Sequence, residues 1–167
     1  QGACFPWRSG ISSGSLAVEI TPGGSMFVGS TNRGWGSRGS KPHGLDRIVW
    51  TGKVPFEIHE MRARPDGFEL TFTQEIDPQT AADLKSYAMS SYCYIFQSAY
   101  GSPVVDQTST KITKVTVGAD KKSVRLVVDK VVEGHIHELT IDGLRNAAGQ
   151  PLLHKQAYYT MNQIPSP

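Results

Sequence analysis

The residues richest in chemistry are His135-Ile136-His137. In an extended chain they place two imidazoles on one face, about 7 Å apart at strand rise. That spacing suits zinc or copper, with a third ligand drawn from His59, His154 or Cys93. A plainer reading stands beside it. Leu139 and Ile141 continue the same face, so His137 fills a core position and His135 sits at the sheet end. These neighbours favour the core. A second candidate is Trp35, flanked by Arg33 and Arg38 in a Gly-rich loop. An indole face stacks on a sugar ring, and guanidiniums donate in pairs to sulfate or carboxylate. The competing and preferred reading makes Trp35 a plug for its own strands, with the arginines solvated or paired. Trp7 beside Arg8 could extend that surface.

Tyr92, Tyr94 and Phe96 alternate and so share a face. They form half a core or a binding platform, and the core is preferred. Tyr100, in the loop before Gly101, is the better candidate for ligand contact. The carboxylates offer no paired catalytic set. Asp66, Asp77, Asp120 and Asp142 all occupy turn positions, which accounts for them without catalysis. Serine and histidine are present, but no nucleophile-elbow sequence is. The Gly-rich loop lacks the spacing and the strand-loop-helix setting of a phosphate loop. The expectation is therefore a protein that is not an enzyme and carries no cofactor.

Stepping outward, the stretch Glu133 to Leu152 organises the chain: a strand opened by Gly134, a short loop, and a turn at Asn146–Gly149 before Pro151. Everything from Phe56 onward reads as built to pair with this strand. Predicted strands are 15–20, 26–30, 45–50, 56–61, 68–73, 87–96, 112–117, 123–128, 135–141 and 157–162, by period-2 patterning between turn signals. Phe56, Ile58 and Glu60 share one face of their strand, and the imperfect alternation of 87–96 implies a bulge there. Asp77 caps a short helical turn with Pro78 at its first position. Gln97 to Thr110 reads as a polar loop. The fold class is all-β: an immunoglobulin-like β-sandwich over 54–167, with seven strands, preceded by a β-hairpin or blade-like segment over 1–53.

Two resemblances sharpen this. The stretch GSMFVGSTNRGWGSRGSKPHGLDRIVWTGKVPFEIHEM is similar to the last blade of sorbosone-dehydrogenase-like, glucose-dehydrogenase-type propellers of planctomycete-type secreted multidomain proteins, across residues 5–61. One blade is present, and no Cys-x-x-Cys-His haem motif occurs. The resemblance therefore implies a neighbouring propeller rather than a quinone, sugar-oxidising or haem activity here. Over 56–162, Phe-Thr-x-x-Ile-Asp-Pro followed by Glu-Gly-His-x-His-x-Leu-x-Ile-x-Gly-Leu-x-Asn-x-x-Gly-x-Pro-Leu resembles a bacterial Ig-like domain of the surface-layer and adhesin type. Such domains usually carry an aromatic residue where His137 stands.

The bulk properties narrow the partners. The 167 residues carry a net charge of +2, too small to argue for nucleic acid. No apolar run approaches the length of a membrane span. Seventeen Gly and ten Pro favour short strands joined by turns. No leader is visible before Gln1, so the chain is read as a mature or excised product. Cys4 and Cys93 could form one bridge in an oxidising compartment, contributing about 4 kcal/mol, or remain two thiols. The expected function is a structural or interaction module of a larger secreted or periplasmic bacterial protein, positioning a neighbouring propeller domain. Its alternatives are a carbohydrate-binding module using Arg33, Trp35, Arg38 and Tyr100, and a metal-binding accessory domain at His135 and His137.

Overall fold

The computed structural model describes residues 1–33 and 39–166. In chain order its elements are β1 (Gly2–Cys4), β2 (Ser15–Ile20), β3 (Met26–Thr31), β4 (His43–Ile48), β5 (Ile58–Arg64), β6 (Gly67–Phe72), α1 (Pro78–Ala82), β7 (Tyr87–Tyr94), β8 (Val104–Thr110), β9 (Ile112–Val117), β10 (Ser123–Val128), β11 (His135–Ile141) and β12 (Gln156–Met161). They belong to two compact units. One comprises Gln1–Pro6 with Pro55–Pro167, the other Trp7–Val54. In the chain, the second unit is thus an insertion between β1 and β5.

The first unit is an all-β sandwich. Its five-stranded sheet runs β1-β12-β11-β7-β8 and its four-stranded sheet β5-β6-β10-β9. Strict alternation builds the core between them. Phe68, Leu70 and Phe72 of β6 and Val124, Leu126 and Val128 of β10 face Tyr87 and Met89 of β7, Leu139 and Ile141 of β11, and Tyr159 and Met161 of β12. Strand β11 pairs on both sides, Leu139 opposite Ala157 and opposite Met89, which satisfies its backbone and lets Leu139 and Ile141 face the core beyond His135 and His137. The β5–β6 turn needs glycine. Gly67 has φ +151°, and a Cβ there would lie 2.1 Å from the Leu126 carbonyl oxygen. The Asp77 carboxylate accepts from the N–H of Thr80 at 3.0 Å and of Gln79 at 3.4 Å, capping α1 as its sequence implies.

The second turn of the organising stretch is held by Asn146. Its Oδ1 accepts from the N–H of Ala148 (3.1 Å) and Gln150 (2.7 Å). Its Nδ2 donates to Gln74 (2.6 Å) and Gln150 (3.0 Å), and its backbone bridges Ile76.

Several expectations are corrected. Among the described residues the sandwich has nine strands, not seven. One addition is β1, which pairs with β12 from Gly2 opposite Thr160 to Cys4 opposite Tyr158. The other is β8, where a loop was expected. Its Val and Thr side chains supply β-propensity that the preceding Gly101-Ser102-Pro103 obscures. Strand β11 pairs with β12 and β7 alone, β1 and β8 lying beyond them in the same sheet and the four-stranded sheet facing it across the core. In β5 a bulge between Ile58 and Glu60 shifts the phase, so Met61 rather than Glu60 joins Phe56 and Ile58 inside. Glu60 instead pairs with Arg62 at 3.0 Å. The bulge expected in 87–96 belongs to the partner strand. Ser91 faces Thr108 and Cys93 faces Val105, so Asp106 and Gln107 of β8 together oppose Tyr92.

The second unit is a three-stranded antiparallel meander, β2-β3-β4. The Ser12 hydroxyl and N–H clasp the Asp46 carboxylate at 2.7 and 3.0 Å. Those bonds hold the Asp46 carboxyl below its ordinary range. Among the described residues Val28 is its one buried apolar side chain, while Leu16, Val18, Ile20, Leu45 and Trp50 are each more than half exposed.

Candidate functional site

The chemistry gathers at the end of the five-stranded sheet where β11, β7 and β8 lie side by side. Ile136 faces Tyr92, so one step further places His135 opposite Cys93. Inner-facing positions on β7 are Tyr87, Met89 and Ser91, which puts Cys93 on the same side as His135 and His137. The β8 bulge then brings Asp106, held at φ +52°, to within 3.7 Å of the Cys93 Sγ through Oδ2. One ligand atom each from Cys93, Asp106 and His135 lies within 4.8 Å of the others. His135 and Cys93 are half-buried and Asp106 is exposed, so the group is open to solvent on one side. Nδ1 of His135 is buried without a hydrogen-bond partner. Burial, and then the charge and hydrogen bond of Asp106, push the Cys93 thiol up, keeping it protonated in the free protein.

His137 is a different case. It is fully buried, its ring 5.3 Å from that of Phe68, and its Nε2 accepts the Val132 N–H at 3.3 Å. With Nε2 accepting, the ring proton sits on Nδ1, which has no partner. Burial first, then the neighbouring His135, lower its pKa from 6.5 to about 4. His137 is thus neutral at physiological pH and packs between the sheets against Phe68. Of the other proposed third ligands, His59 is exposed on β5. His154 is engaged by Glu57, Nδ1 to Oε1 at 2.6 Å. The structure brings His135 to Cys93, and adds Asp106. That aspartate was missed because its strand was read as loop. The run Val104-Val105 followed by Thr108-Ser109-Thr110 was the available signal.

The aromatic run is arranged otherwise than expected. Tyr92 and Tyr94 lie on the outer face of the sheet, rings T-shaped at 5.7 Å, and Tyr92 is outside the inter-sheet core. Inner positions on β7 are odd-numbered, so alternation sends the even-numbered tyrosines out. Burial on that face, with Tyr94 and Glu138 nearby, pushes the Tyr92 hydroxyl up to about 12. Phe96 and Tyr100 are fully exposed beyond the strand end. Arg33, in the meander unit, is exposed at φ +51° with its N–H on the Thr31 hydroxyl at 3.0 Å. Trp35 and Arg38 lie outside the described residues. Trp7 is exposed.

Cys4 and Cys93 are both free. Strands β12 and β11 lie between β1 and β7, so three strand spacings, about 14 Å, separate the two residues. A disulfide needs Cα atoms about 4.4–6.8 Å apart.

Elsewhere among the described residues several polar groups have structural partners. A surface depression of about 380 Å³ is lined by Glu75, Asp77, Lys121, Arg145 and Asn146 among others. There Asp77 caps α1 and Asn146 holds its turn. Asp120 accepts from Lys122, Ser123 N–H and the Ser123 hydroxyl, which holds its carboxyl low. Asp66 pairs with Arg125 and Asp142 with Lys155. Among the described residues no helix is long and apolar enough to cross a membrane.

Comparison with solved structures supplies a fold relationship. The chain is similar to the S-layer protein rSbsC(31-844), at 17% identity and a TM-score of 0.50, over 68% of this chain and 14% of that one. It is also similar to surface layer protein SbsC, domains 1-6, at 16% identity and a TM-score of 0.49, over 69% and 15% respectively. At these identities what is shared is the all-β fold. No protein-family model and no curated protein matches the chain.

Proposed function

We propose that this chain is a non-catalytic structural and interaction module of a larger secreted or cell-surface bacterial protein. The observation that carries the reading is the fold shared with an S-layer protein of which this chain spans 14%. There the fold is one part of a much longer polypeptide. The chemistry of the sandwich supports the same view. Asp77, Asp120 and Asn146 are spent on caps and turns, Asp66, Asp142 and Glu57 on ion pairs, and the faces between the sheets form one hydrophobic core. Such a body holds distances rather than transforming a substrate.

The division of labour proposed here follows the two units. The sandwich, an immunoglobulin-like domain of the surface-layer type, is the rigid spacer. The meander is a blade-like segment that meets a neighbouring domain of the same protein, in this reading a propeller. Leu16, Val18 and Ile20 stand at alternate positions on edge strand β2, each more than half exposed. A row of that kind is suited to packing against another sheet. Cross-linking mass spectrometry on intact cells making the full-length protein tests this. Lys41 and Lys53, on either side of β4, are expected to link to domains elsewhere in the same polypeptide. Links confined to residues 1–167 would overturn the reading.

One observation favours a second reading, carbohydrate binding. Tyr100 presents its whole ring to solvent, as a stacking residue for a sugar must. Arg33, Trp35 and Arg38 are a separate proposed sugar surface, carried by the Trp7–Val54 unit. A glycan-array screen comparing the native chain with Tyr100→Ala tests it. A specific signal lost in the variant supports the reading, and a blank array removes it.

A further inference from the structure

The cluster on β7, β8 and β11 has no role in the reading above, and its composition is that of a metal site. We propose that Cys93, Asp106 and His135 bind one zinc-class divalent cation, leaving a fourth position open to water or to a donor from a neighbouring domain. Three kinds of donor, thiolate, imidazole and carboxylate, are the set that zinc takes at about 2.0–2.3 Å. Tetrahedral geometry with those bond lengths separates sulfur from oxygen by about 3.6 Å. The observed Sγ to Oδ2 distance is 3.7 Å. All three ligand atoms already lie within 4.8 Å of one another, so closing on an ion needs only side-chain adjustment. Magnesium and calcium are disfavoured, since they require six or more oxygen ligands.

The placement is specific. The donors come from three adjacent strands, and only the two-against-one bulge of β8 turns Asp106 toward Cys93. His137, two residues along the same face, is not a ligand. Its Nε2 is taken by the Val132 N–H, and its ring is packed on Phe68. On binding, the thiol proton passes to buffer as the sulfur–metal bond forms, with no change of oxidation state.

The test is a titration of the full, reduced, metal-stripped chain with Co²⁺, followed by Zn²⁺ competition. Binding of one equivalent with a thiolate-to-cobalt charge-transfer band is expected, and Zn²⁺ should abolish the band. Cys93→Ser should remove it. Asp106→Asn and His135→Asn should weaken affinity by more than the roughly 10–100-fold typical of losing an outer-shell partner. These side chains lie outside the hydrophobic core, and near-ultraviolet circular dichroism confirms folding of each variant. Cys4→Ser should leave the band intact. A band that persists in Cys93→Ser, one that disappears in Cys4→Ser, or no band at millimolar Co²⁺ would overturn the proposal.

Discussion

Truncating Asn146 to alanine should destabilise the sandwich more than its position in a turn suggests. Asn146 is 3% exposed, and its side chain makes four hydrogen bonds, at 3.1, 2.7, 2.6 and 3.0 Å. At about 0.5–1.5 kcal/mol net each, the set is worth about 2–6 kcal/mol. Ala148 and Gln150 are exposed, so water replaces part of what their N–H groups lose. The expected cost is therefore in the lower half, about 2–3 kcal/mol. Asn146→Asp keeps the two accepted bonds, loses the two donated ones and buries a charge, so it should cost no less. The assay is urea unfolding followed by near-ultraviolet circular dichroism of tyrosine. All six tyrosines lie in the sandwich, whereas all three tryptophans lie within residues 7–54 and report on the other unit. A midpoint shift at constant m reads the effect directly. A loss below about 1 kcal/mol would refute the claim that this side chain holds the turn.

Other consequences follow from single residues. Gly67→Ala places a Cβ 2.1 Å from the Leu126 carbonyl oxygen at φ +151°. It should lower the midpoint by more than the roughly 1 kcal/mol ordinary at a glycine, and an unchanged midpoint would contradict the close approach of β6 to β10. Asp77 and Asp120 have folded pKa values held low, chiefly by backbone hydrogen bonds from Thr80 and Lys122 respectively. The unfolded chain then binds more protons below about pH 4, so their contribution is present above that pH and is lost as pH falls toward the folded values. The double variant Asp77→Ala, Asp120→Ala should flatten the acid limb of the stability curve, and an unaltered limb would contradict the assignment. Thiol titration of the unreduced, denatured protein should count two thiols, since both cysteines are free. In the native state exposed Cys4 should react fast at pH 8 and Cys93, its thiol pushed up by burial beside Asp106, slowly. A count of zero would mean that the cysteines are bridged.

Period-2 patterning made most of the sandwich legible in advance. Strands β9, β10 and β11 have the predicted bounds, as does β2 of the meander, and the inward residues of β6 and the cap at Asp77 are where alternation and turn chemistry put them. What escaped was non-local. Strand β1 is three residues whose only reason to be extended is β12 beside it. The bulges in β5 and β8 depend on their partners' register, and each changes which side chain faces in. The same cause hid the cluster. His135 and Cys93 were visible as candidate ligands, but Asp106 becomes their neighbour only through the β8 bulge. His137 was legible as a core residue from Leu139 and Ile141. The outward Tyr92 and Tyr94 were not, because alternation defines two faces without saying which one is covered.

The central claim, a structural module displayed at the cell surface, is tested most directly by immunogold electron microscopy. Antibodies raised against this chain would be applied to intact cells that make the full-length protein, and to sections of the same cells. The account predicts gold along the outer surface of unpermeabilised cells. Label found only in sections, over the cell interior, would contradict it.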